Sequence, residues 1–374
     1  MRYFFATGEA SGELSAVLLA RAIREFDPDA RFEGIGGERM REQGWVLWRD
    51  HAGWASMGPL AAIPRIPKLL GAMWKTAQHI AAVQPDLVVL IDFGAFNMRL
   101  AKELRTKLHY QGPIVDLFPP ATWLDKENVA RAVSSWMVPI TAFEHQYEFY
   151  KSLELPIVYF GHPLASQYAM RPPRPAPGSD GGTIALLPGS RAGELKFHLP
   201  ALLDAYVLLK KRRPNLRAVV GSANDATERM IRRALKRRRL DDVRVVRGVA
   251  PALEDADAAF VSSGTAVLET ALLGVPAVVL YVITPILVRH ARRVYPPGKF
   301  IALPNLILER EVVPELLQEA ATPERLAAAL ENILEDPNAQ VEQFAEMRRR
   351  LGSPNALQEC ARFAVALAKA GRSA

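Results

Sequence analysis

Short apolar runs alternate with amphipathic segments along the first half of the chain. Residues 3–6, 31–35 and 85–92 have the apolar character of buried strands, and residues 14–26 have the spacing of an amphipathic helix. This alternation is typical of a mostly parallel sheet with helices on both faces. Ligands of such sheets gather at the carboxyl ends of the strands.

The alternation restarts after a segment at residues 166–182 that is rich in proline and glycine, as linkers are. Further strands are predicted at residues 183–187, 216–221, 243–246 and 258–262, with helices at 199–212 and 267–273 and a mostly helical pattern after Pro323. A chain of 374 residues is long enough for two domains. We therefore predict an α/β protein with two doubly wound Rossmann-like domains that face a cleft. Its parts are an N-terminal domain at 1–165, a linker at 166–182, a C-terminal domain at 183–340, and C-terminal helices at 341–374 that pack back toward the N-terminal domain.

One uncharged, mostly apolar stretch, residues 271–288, approaches the length of a membrane span. Gly274, Pro276 and Pro285 interrupt it, and the β-branched run at 277–282 is typical of a buried parallel strand. We therefore favour a strand over a transmembrane helix.

Composition narrows the class of protein. The single cysteine, Cys360, excludes an internal disulfide, no Cys/His cluster predicts a metal site, and no export signal is evident, so a cytoplasmic location is favoured. The net charge of +7 comes from basic clusters at 210–213, 232–239 and 289–293. These indicate either solvated helix faces or attraction to anionic lipid, and no nucleic-acid-binding motif accompanies them.

The first motif lies where strand 1 meets its helix and contains Gly8, Glu9, Ser11, Gly12 and Glu13. Its glycines permit a tight turn and close approach of a ligand to the backbone. The two glutamates would repel a diphosphate, so a sugar hydroxyl or an acceptor group fits better. A plain glycine turn with Ser11 as the helix cap would have the same pattern.

The second motif is Asp92, at the carboxyl end of the strongest predicted strand. A carboxylate placed there by a rigid strand suits a general base that reaches a hydroxyl in the cleft. An aspartate that only caps the next helix is the alternative.

The third motif opens the second domain with Gly189, Ser190 and Arg191. The loop permits close approach of a ligand, and the planar guanidinium can bind phosphate oxygens. Arg191 could instead pair with Glu194 on the surface.

The fourth motif runs through Ser263, Gly264 and Thr265 into a helix that carries Glu269. A helix N-terminus suits a diphosphate, and Glu269, one turn in, could accept hydrogen bonds from ribose hydroxyls. Helix capping would explain the serine and threonine but not the glutamate, which favours a nucleotide.

Together and in this order, the motifs resemble the lipid-A-disaccharide synthase family of inverting glycosyltransferases with the GT-B fold. The matching segments are GEASGE at 8–13, GIGGERM at 34–40, MG at 57–58, the strand at 85–92, FE at 143–144, GHPLA at 161–165, LLPGSR at 186–191, SGTAVLE at 263–269, and LPNLI and PELLQ between 303 and 318.

The resemblance implies transfer of diacylglucosamine from UDP-2,3-diacylglucosamine to the 6-hydroxyl of 2,3-diacylglucosamine 1-phosphate, with release of UDP. It gives Asp92 the role of base. The residues implied around the nucleotide are Gly189, Ser190, Arg191, Ser263, Gly264, Thr265, Glu269 and Asn305. It implies no metal and no cofactor, because the UDP-sugar is a substrate; assembly into a homo-oligomer is compatible with the sequence.

The chain departs from the family pattern at Ser15, where the family has histidine, and at Ala95, where it has a second aspartate. Asp125 stands in place of a tryptophan and Val282 in place of a basic residue. Most of these differences lie on the acceptor side. They leave open a different lipid acceptor, a UDP-sugar epimerase, or a binding protein without catalytic activity.

Acyl chains need an apolar surface, and the segment at 57–74 offers Ile63, Ile66, Leu69, Leu70 and Trp74 at near-helical spacing with lysines and an arginine nearby. We predict membrane contact there, at the inner face of the cytoplasmic membrane. A helix packed on the domain core would show a similar pattern.

Overall fold

The apolar runs form two parallel sheets, one in each half of the chain. The computed structural model describes residues 1–51, 54, 66–168, 170, 181–284, 288 and 300–373. These residues divide into two compact units, the first made of Met1–Gln167 and Leu351–Ala374 and the second of Tyr168–Arg350.

The first unit contains a seven-stranded sheet with the order β3-β2-β1-β4-β5-β6-β7 and parallel pairing throughout. Its strands are β1 (Arg2–Thr7), β2 (Arg31–Gly36), β3 (Val46–Asp50), β4 (Leu87–Ile91), β5 (Ile114–Leu117), β6 (Val138–Thr141) and β7 (Val158–Tyr159). Its helices are α1 (Ala10–Phe26), α2 (Glu38–Glu42), α3 (Ile66–Val83), α4 (Gly94–Thr106), α5 (Glu127–Trp136), α6 (Glu144–Ser152) and α7 (Pro163–Gln167).

The second unit contains a six-stranded sheet with the order β10-β9-β8-β11-β12-β13, again parallel. Its strands are β8 (Thr183–Leu187), β9 (Arg217–Ser222), β10 (Arg244–Arg247), β11 (Ala258–Ser262), β12 (Ala277–Tyr281) and β13 (Glu315–Leu317). Its helices are α8 (Ala192–Arg212), α9 (Asp225–Arg238), α10 (Val249–Leu253), α11 (Thr265–Leu272), α12 (Leu303–Leu308), α13 (Pro323–Glu335) and α14 (Asn338–Arg350). The final helix, α15 (Ala356–Ser373), returns to the first unit.

Each sheet has one point where the strand order reverses. In the first sheet it lies between β1 and β4, and in the second between β8 and β11. Loops that follow neighbouring strands on the two sides of such a switch point diverge and leave a crevice for a ligand. The predicted doubly wound α/β architecture is confirmed in both units.

The core of each unit forms because sheet residues of one face meet apolar helix faces. In the first unit Phe4 and Leu90 pack with Leu100 of α4, and in the second Leu186 and Phe260 pack in a cluster with side chains of α8 and α13. All of these side chains are almost fully buried, which makes the strand ends firm supports for loops.

The structure corrects two details of the sequence-based description. Helix α8 begins at Ala192 and contains Pro200, because its buried leucines continue on one face past the proline. The boundary at the C-terminal end also differs: α14 belongs to the second unit, and only residues from Leu351 onward join the first. There Arg362 of α15 lies over the ring of Phe26 at the end of α1. Most of the linker predicted at 166–182 lies outside the described residues.

Candidate functional site

The first switch point carries Asp92 and the glycine loop. Because Thr7 of β1 pairs with Ile91 of β4, the residues that follow these strands leave the sheet at the same edge. Oγ of Ser11 donates a hydrogen bond to Oδ2 of Asp92 at 3.4 Å. The structure thus places the predicted base beside the predicted acceptor-side loop.

Asp92 is exposed and has a backbone φ of 45°, in the left-handed region that non-glycine residues seldom adopt. Its backbone amide donates to the carbonyl oxygen of Leu117 on β5 at 3.3 Å, which holds this conformation in place. Residues held in sparsely populated backbone conformations cluster at functional sites. The exposed carboxylate at this position is therefore the best candidate for the reacting base.

The two glycines of the loop permit close packing. A Cβ added at Gly8 would lie 2.4 Å from ring atoms of Phe93, and one at Gly12 would lie 3.4 Å from the carbonyl oxygen of Ile91. A side chain at Gly8 would therefore push the loop away from the residue that follows Asp92.

Helix α1 begins inside the motif, with Glu9 as its N-cap residue and Ser11 in its first turn. Because Glu9 holds the N-cap position and Ser11 is the second helical residue, the alternative in which Ser11 caps the helix is wrong. Ser15, in place of the family's histidine, is buried and donates to the backbone oxygen of Ser11 at 3.3 Å.

Glu13 has a different place from the one predicted at the acceptor side of the cleft. It is 4% exposed, and its Oε1 accepts hydrogen bonds from the backbone amides of Gly37 at 2.8 Å and Met40 at 3.0 Å. Burial opposes ionisation, but these amides and the imidazole of His51, whose Nε2 lies 3.7 Å from Oε2, hold the pKa of Glu13 below its usual value. Glu13 therefore anchors the turn after β2 instead of facing a ligand.

A buried acid near Asp92 escaped the sequence-based description. Asp116 on β5 is 1% exposed, and no hydrogen bond to its Oδ2 is found among the described residues. Burial, followed by the negative charge of Asp92, raises the pKa of Asp116 to about 8. The hydroxyl of Tyr150 and the amide of Asn97 are buried and likewise unbonded in the described part of the chain. The sequence does contain a signal for this buried acid, namely a charged residue inside the apolar run IVDLF.

The second switch point begins with the loop after β8. Glu194 is buried, and its Oε2 accepts hydrogen bonds from the amides of Ser190 at 3.0 Å and Arg191 at 3.2 Å. Its Oε1 pairs with Nη1 of Arg191 at 2.5 Å. Gly189 has a φ of 109°, and an added Cβ would lie 2.5 Å from this carboxylate. The predicted alternative pairing of Arg191 with Glu194 thus exists, and it shapes the loop from within.

His198 forms hydrogen bonds with the start of the same loop and with the end of β12. Nδ1 lies 3.1 Å from the carbonyl oxygen of Pro188, and Nε2 accepts a hydrogen bond from the amide of Val282 at 2.9 Å. Burial lowers the pKa of His198, so the neutral ring donates at Nδ1 and accepts at Nε2. The ring thereby connects the ends of β8 and β12.

The loop after β11 leads into α11, whose N-cap residue is Gly264 with a φ of 142°. Gly264 has no side chain to cap the helix, and an added Cβ there would meet open space. Oγ of Ser263 donates to the carbonyl oxygen of Ile301 at 3.5 Å, and Thr265 is the first helical residue. Gly264 holds the N-cap position, so the capping alternative for Ser263 and Thr265 is wrong, and the helix N-terminus has no side-chain cap. Such an N-terminus suits an anion.

Asn305 is fully buried, which differs from its implied place at the nucleotide. Its Oδ1 accepts hydrogen bonds from the amides of Val312 and Val313, and its Nδ2 donates to Glu315 at 2.8 Å. Glu315 also accepts the amides of residues 301 and 302. Asn305 therefore acts on the site through the loop that it holds beside Ser263.

Glu269 lies one turn into α11 and is 7% exposed. Its Oε2 accepts a hydrogen bond from the hydroxyl of Tyr168 at 2.7 Å. The segments LLPGSR, SGTAVLE, LPNLI and PELLQ are thus linked by hydrogen bonds around the second switch point.

The residues predicted to contact a membrane lie on α3 or before it. Leu70 and Trp74 are exposed, while Leu69 is half-buried and packs on the core. Nζ of Lys107 lies 5.5 Å from the ring centre of Trp74. Ile63 and the side chain of Ile66 lie outside the described residues.

Two absences concern the described residues only. None of their helices is both long and apolar enough to cross a membrane. They contain no group of three or more His, Cys, Asp or Glu side chains arranged to hold a metal ion. The predicted absence of a metal and a cofactor stays a prediction.

Solved structures with the same fold include UDP-GlcNAc 2-epimerases and glycosyltransferases. The UDP-GlcNAc 2-epimerase from Neisseria meningitidis, bound to UDP-GlcNAc, aligns with a TM-score of 0.62 at 13% identity, covering 98% of this chain and 100% of that one. The spinosyn rhamnosyltransferase aligns with a TM-score of 0.57 at 12% identity, covering 96% and 98%. The fold is the GT-B class of glycosyltransferases and UDP-sugar epimerases.

Sequence comparison identifies the family within this class. The model of the family described as lipid-A-disaccharide synthetase matches residues 3–369. The lipid-A-disaccharide synthase of Bordetella avium is 36% identical over 92% of this chain and 93% of its own, and that of Myxococcus xanthus is 35% identical over 99% and 98%. The chain belongs to the lipid-A-disaccharide synthase family, and it is a glycosyltransferase.

Proposed function

We propose that this enzyme transfers a diacylglucosamine unit from UDP-2,3-diacylglucosamine to 2,3-diacylglucosamine 1-phosphate, forming the lipid A disaccharide and UDP. Family membership supports the reaction, and the position of Asp92 supports the mechanism. Asp92 is an exposed carboxylate on a strained residue at a switch point, beside a loop whose glycines keep it close. This position of Asp92 is the observation on which the proposal depends.

In the proposed reaction, Asp92 removes the proton from the 6-hydroxyl of the acceptor as the oxygen attacks the anomeric carbon of the donor. The bond from that carbon to the diphosphate breaks, so the configuration at the carbon inverts and UDP leaves. Ser11 donates to Oδ2 of Asp92, and this hydrogen bond orients the carboxylate for proton removal.

We place the UDP-sugar on the second unit. The uncapped N-terminus of α11 and the guanidinium of Arg191 offer positive charge for the departing diphosphate. Ser190 is exposed at the tip of the loop fixed by Glu194. Because these groups meet the charge on the leaving group, we propose that transfer needs no metal, and activity should persist with a chelator present.

We further propose that the enzyme works at the inner face of the cytoplasmic membrane. Leu70 and Trp74 of α3 provide exposed apolar contacts. Helix α9 carries the exposed cations Arg229, Arg233 and Arg237 at a spacing of four residues, which places them on one face. Anionic headgroups attract such a face.

Asp92→Asn tests the base. It keeps the shape of the side chain but cannot take the proton, so kcat should fall by about 100-fold or more. UDP released from UDP-2,3-diacylglucosamine and acceptor measures the effect. Asp50→Asn is the matched control, because Asp50 is an exposed aspartate at the end of β3, away from the switch point. Full turnover by Asp92→Asn would exclude Asp92 as the base.

Epimerase chemistry is the second candidate, because the structural neighbours include UDP-GlcNAc 2-epimerases. The two are separated by incubation with UDP-sugar alone, since an epimerase converts it without an acceptor. UDP release that depends on added acyl-glucosamine phosphate supports the transferase and also rejects a binding protein without activity. Product mass then identifies the acceptor when cell lipids replace the defined one.

A further inference from the structure

Three residues of the second unit form a hydrogen-bonded brace: Tyr168, Glu269 and Arg348. Tyr168 is the first residue of this unit, and Arg348 lies just before its last residue, Arg350. The chain thus enters and leaves the second unit beside members of the brace. All three residues contact or belong to α11, the helix at the second switch point.

The contacts of the brace are short and directional. The hydroxyl of Tyr168 donates to Oε2 of Glu269 at 2.7 Å. Nη2 of Arg348 donates to the backbone oxygen of Tyr168 at 2.6 Å and to that of Leu272 at 2.7 Å. Leu272 is the last residue of α11, so one guanidinium nitrogen joins Tyr168 to the C-terminal end of that helix. A cation there also interacts favourably with the helix dipole.

Burial restricts what the carboxylate can do. Glu269 is 7% exposed and extends from a helix that is otherwise apolar and buried, so few of its rotamers reach a ligand. A hydrogen bond to one carboxylate oxygen selects among those rotamers. Partners that orient a binding side chain hold it in productive geometry, and losing such a partner of a metal ligand typically costs about 10- to 100-fold in affinity.

We propose that Tyr168 is a positioning residue that presents the carboxylate of Glu269 to the ribose hydroxyls of the nucleotide, with Arg348 holding Tyr168 against α11. This inference rests on the proposed UDP-sugar site. Ribose hydroxyls are hydrogen-bond donors, and an oriented carboxylate accepts from them. The brace therefore governs the preference for a ribonucleotide over one that lacks these hydroxyls.

Calorimetric titration of the full-length protein with UDP and with 2′,3′-dideoxyuridine diphosphate tests this directly. Tyr168→Phe removes only the hydroxyl, so UDP should bind about tenfold more weakly while the dideoxy nucleotide binds as before. The KM for the UDP-sugar should rise by a similar factor, with kcat and the acceptor KM nearly unchanged. Arg348→Lys retains the charge but not the planar group, and should reduce the same preference by a smaller factor.

Two variants complete the experiment. Glu269→Gln should lose the preference for UDP. Tyr206→Phe is the matched control, because the hydroxyl of Tyr206 donates a hydrogen bond to another carboxylate of the same unit, that of Asp242, at 3.1 Å. This variant should leave both affinities unchanged.

The outcomes are distinguishable. If Tyr168→Phe weakens both nucleotides equally, the hydroxyl has only a structural role and the inference is overturned. If Glu269→Gln loses the preference and Tyr168→Phe keeps it, the nucleotide site stands and the brace is refuted. A wild-type protein that does not bind UDP would refute the proposed nucleotide site itself.

Discussion

The loops at the two switch points are held in different ways. In the second unit, Glu194 and Glu315 each accept hydrogen bonds from two backbone amides, so the loop after β8 and the segment at 301–302, which accepts a hydrogen bond from Ser263, are fixed by charge-assisted hydrogen bonds. In the first unit, Asp92 accepts a hydrogen bond from Ser11, and the nearby buried acid Asp116 has an Oδ2 that is unbonded among the described residues. Nearby Phe118 and Ala121 share the left-handed backbone of Asp92.

This difference indicates a division of labour. Preorganised donors suit a ligand whose charge is fixed, such as a diphosphate. A strained strand end beside a buried acid suits proton transfer, where pKa values must be tuned. The exposed surfaces differ as well: Val46, Leu70 and Trp74, the large exposed apolar side chains of the described residues, all lie in the first unit.

The largest effect is expected when Asp116 is replaced. Its pKa of about 8 in the folded protein exceeds the value of about 4 in an unfolded chain. Between these values the unfolded chain binds fewer protons than the folded one, so stability falls as pH rises from about 4 to about 8. Asp116→Asn removes this term and should be more stable than wild type at pH 7 by up to about 4 kcal/mol.

Urea unfolding across a pH series measures this effect. The advantage of Asp116→Asn should shrink toward zero below about pH 3, where the wild-type side chain is protonated in both the folded and the unfolded chain, so the low-pH measurement is an internal control. An advantage that does not change with pH would show that Asp116 is ionised in the folded protein, and the contrast between the two switch points would then fail.

A smaller effect is expected on the nucleotide side from Glu194→Gln. The glutamine side chain has only one acceptor oxygen, and its NH2 group would point hydrogens at N–H donors that bond to the carboxylate in the wild type. The loop at 188–191 should therefore lose its shape. We expect a loss of about 2 kcal/mol in UDP binding, or about 30-fold, measured by calorimetry.

The acceptor KM of Glu194→Gln should not change. Glu228→Gln is its matched control, because Glu228 forms an exposed pair with Arg232 on α9 in the same unit and such pairs contribute little. Equal losses for both nucleotide and acceptor would contradict the separate roles of the two units.

The buried strands, their parallel arrangement and the place of the motifs could be expected from the sequence because they follow from local pattern. Apolar runs such as residues 87–91 define buried strands, and in a doubly wound sheet the residues that follow them gather at the switch point. The positions of Asp92 and Gly264 at a ligand site can be predicted in this way, because Asp92 directly follows β4 and Gly264 lies two residues after β11.

The direction of individual side chains could not be expected in the same way. Glu13 turns toward Gly37 because the chain after β2 passes beside α1, and nothing near Glu13 in the sequence records that path. Tyr168 and Glu269 are 101 residues apart, and their hydrogen bond exists only in the folded unit. Roles that depend on such contacts follow from three-dimensional packing and not from spacing.

The smallest expected effect concerns the apolar surface of the first unit. If lipid is recognised there, Leu70→Ser and Trp74→Ser should each weaken binding to vesicles that contain anionic lipid by about 1 to 2 kcal/mol, because each removes exposed apolar area that would enter the membrane. Co-sedimentation with vesicles measures the loss. Val46→Ser is the matched control: Val46 is 65% exposed but lies on β3, outside the segment before and within α3. If Val46→Ser weakens binding as much as the two α3 variants, the contact is spread over the unit, and α3 has no special part in bringing the acyl chains to Asp92.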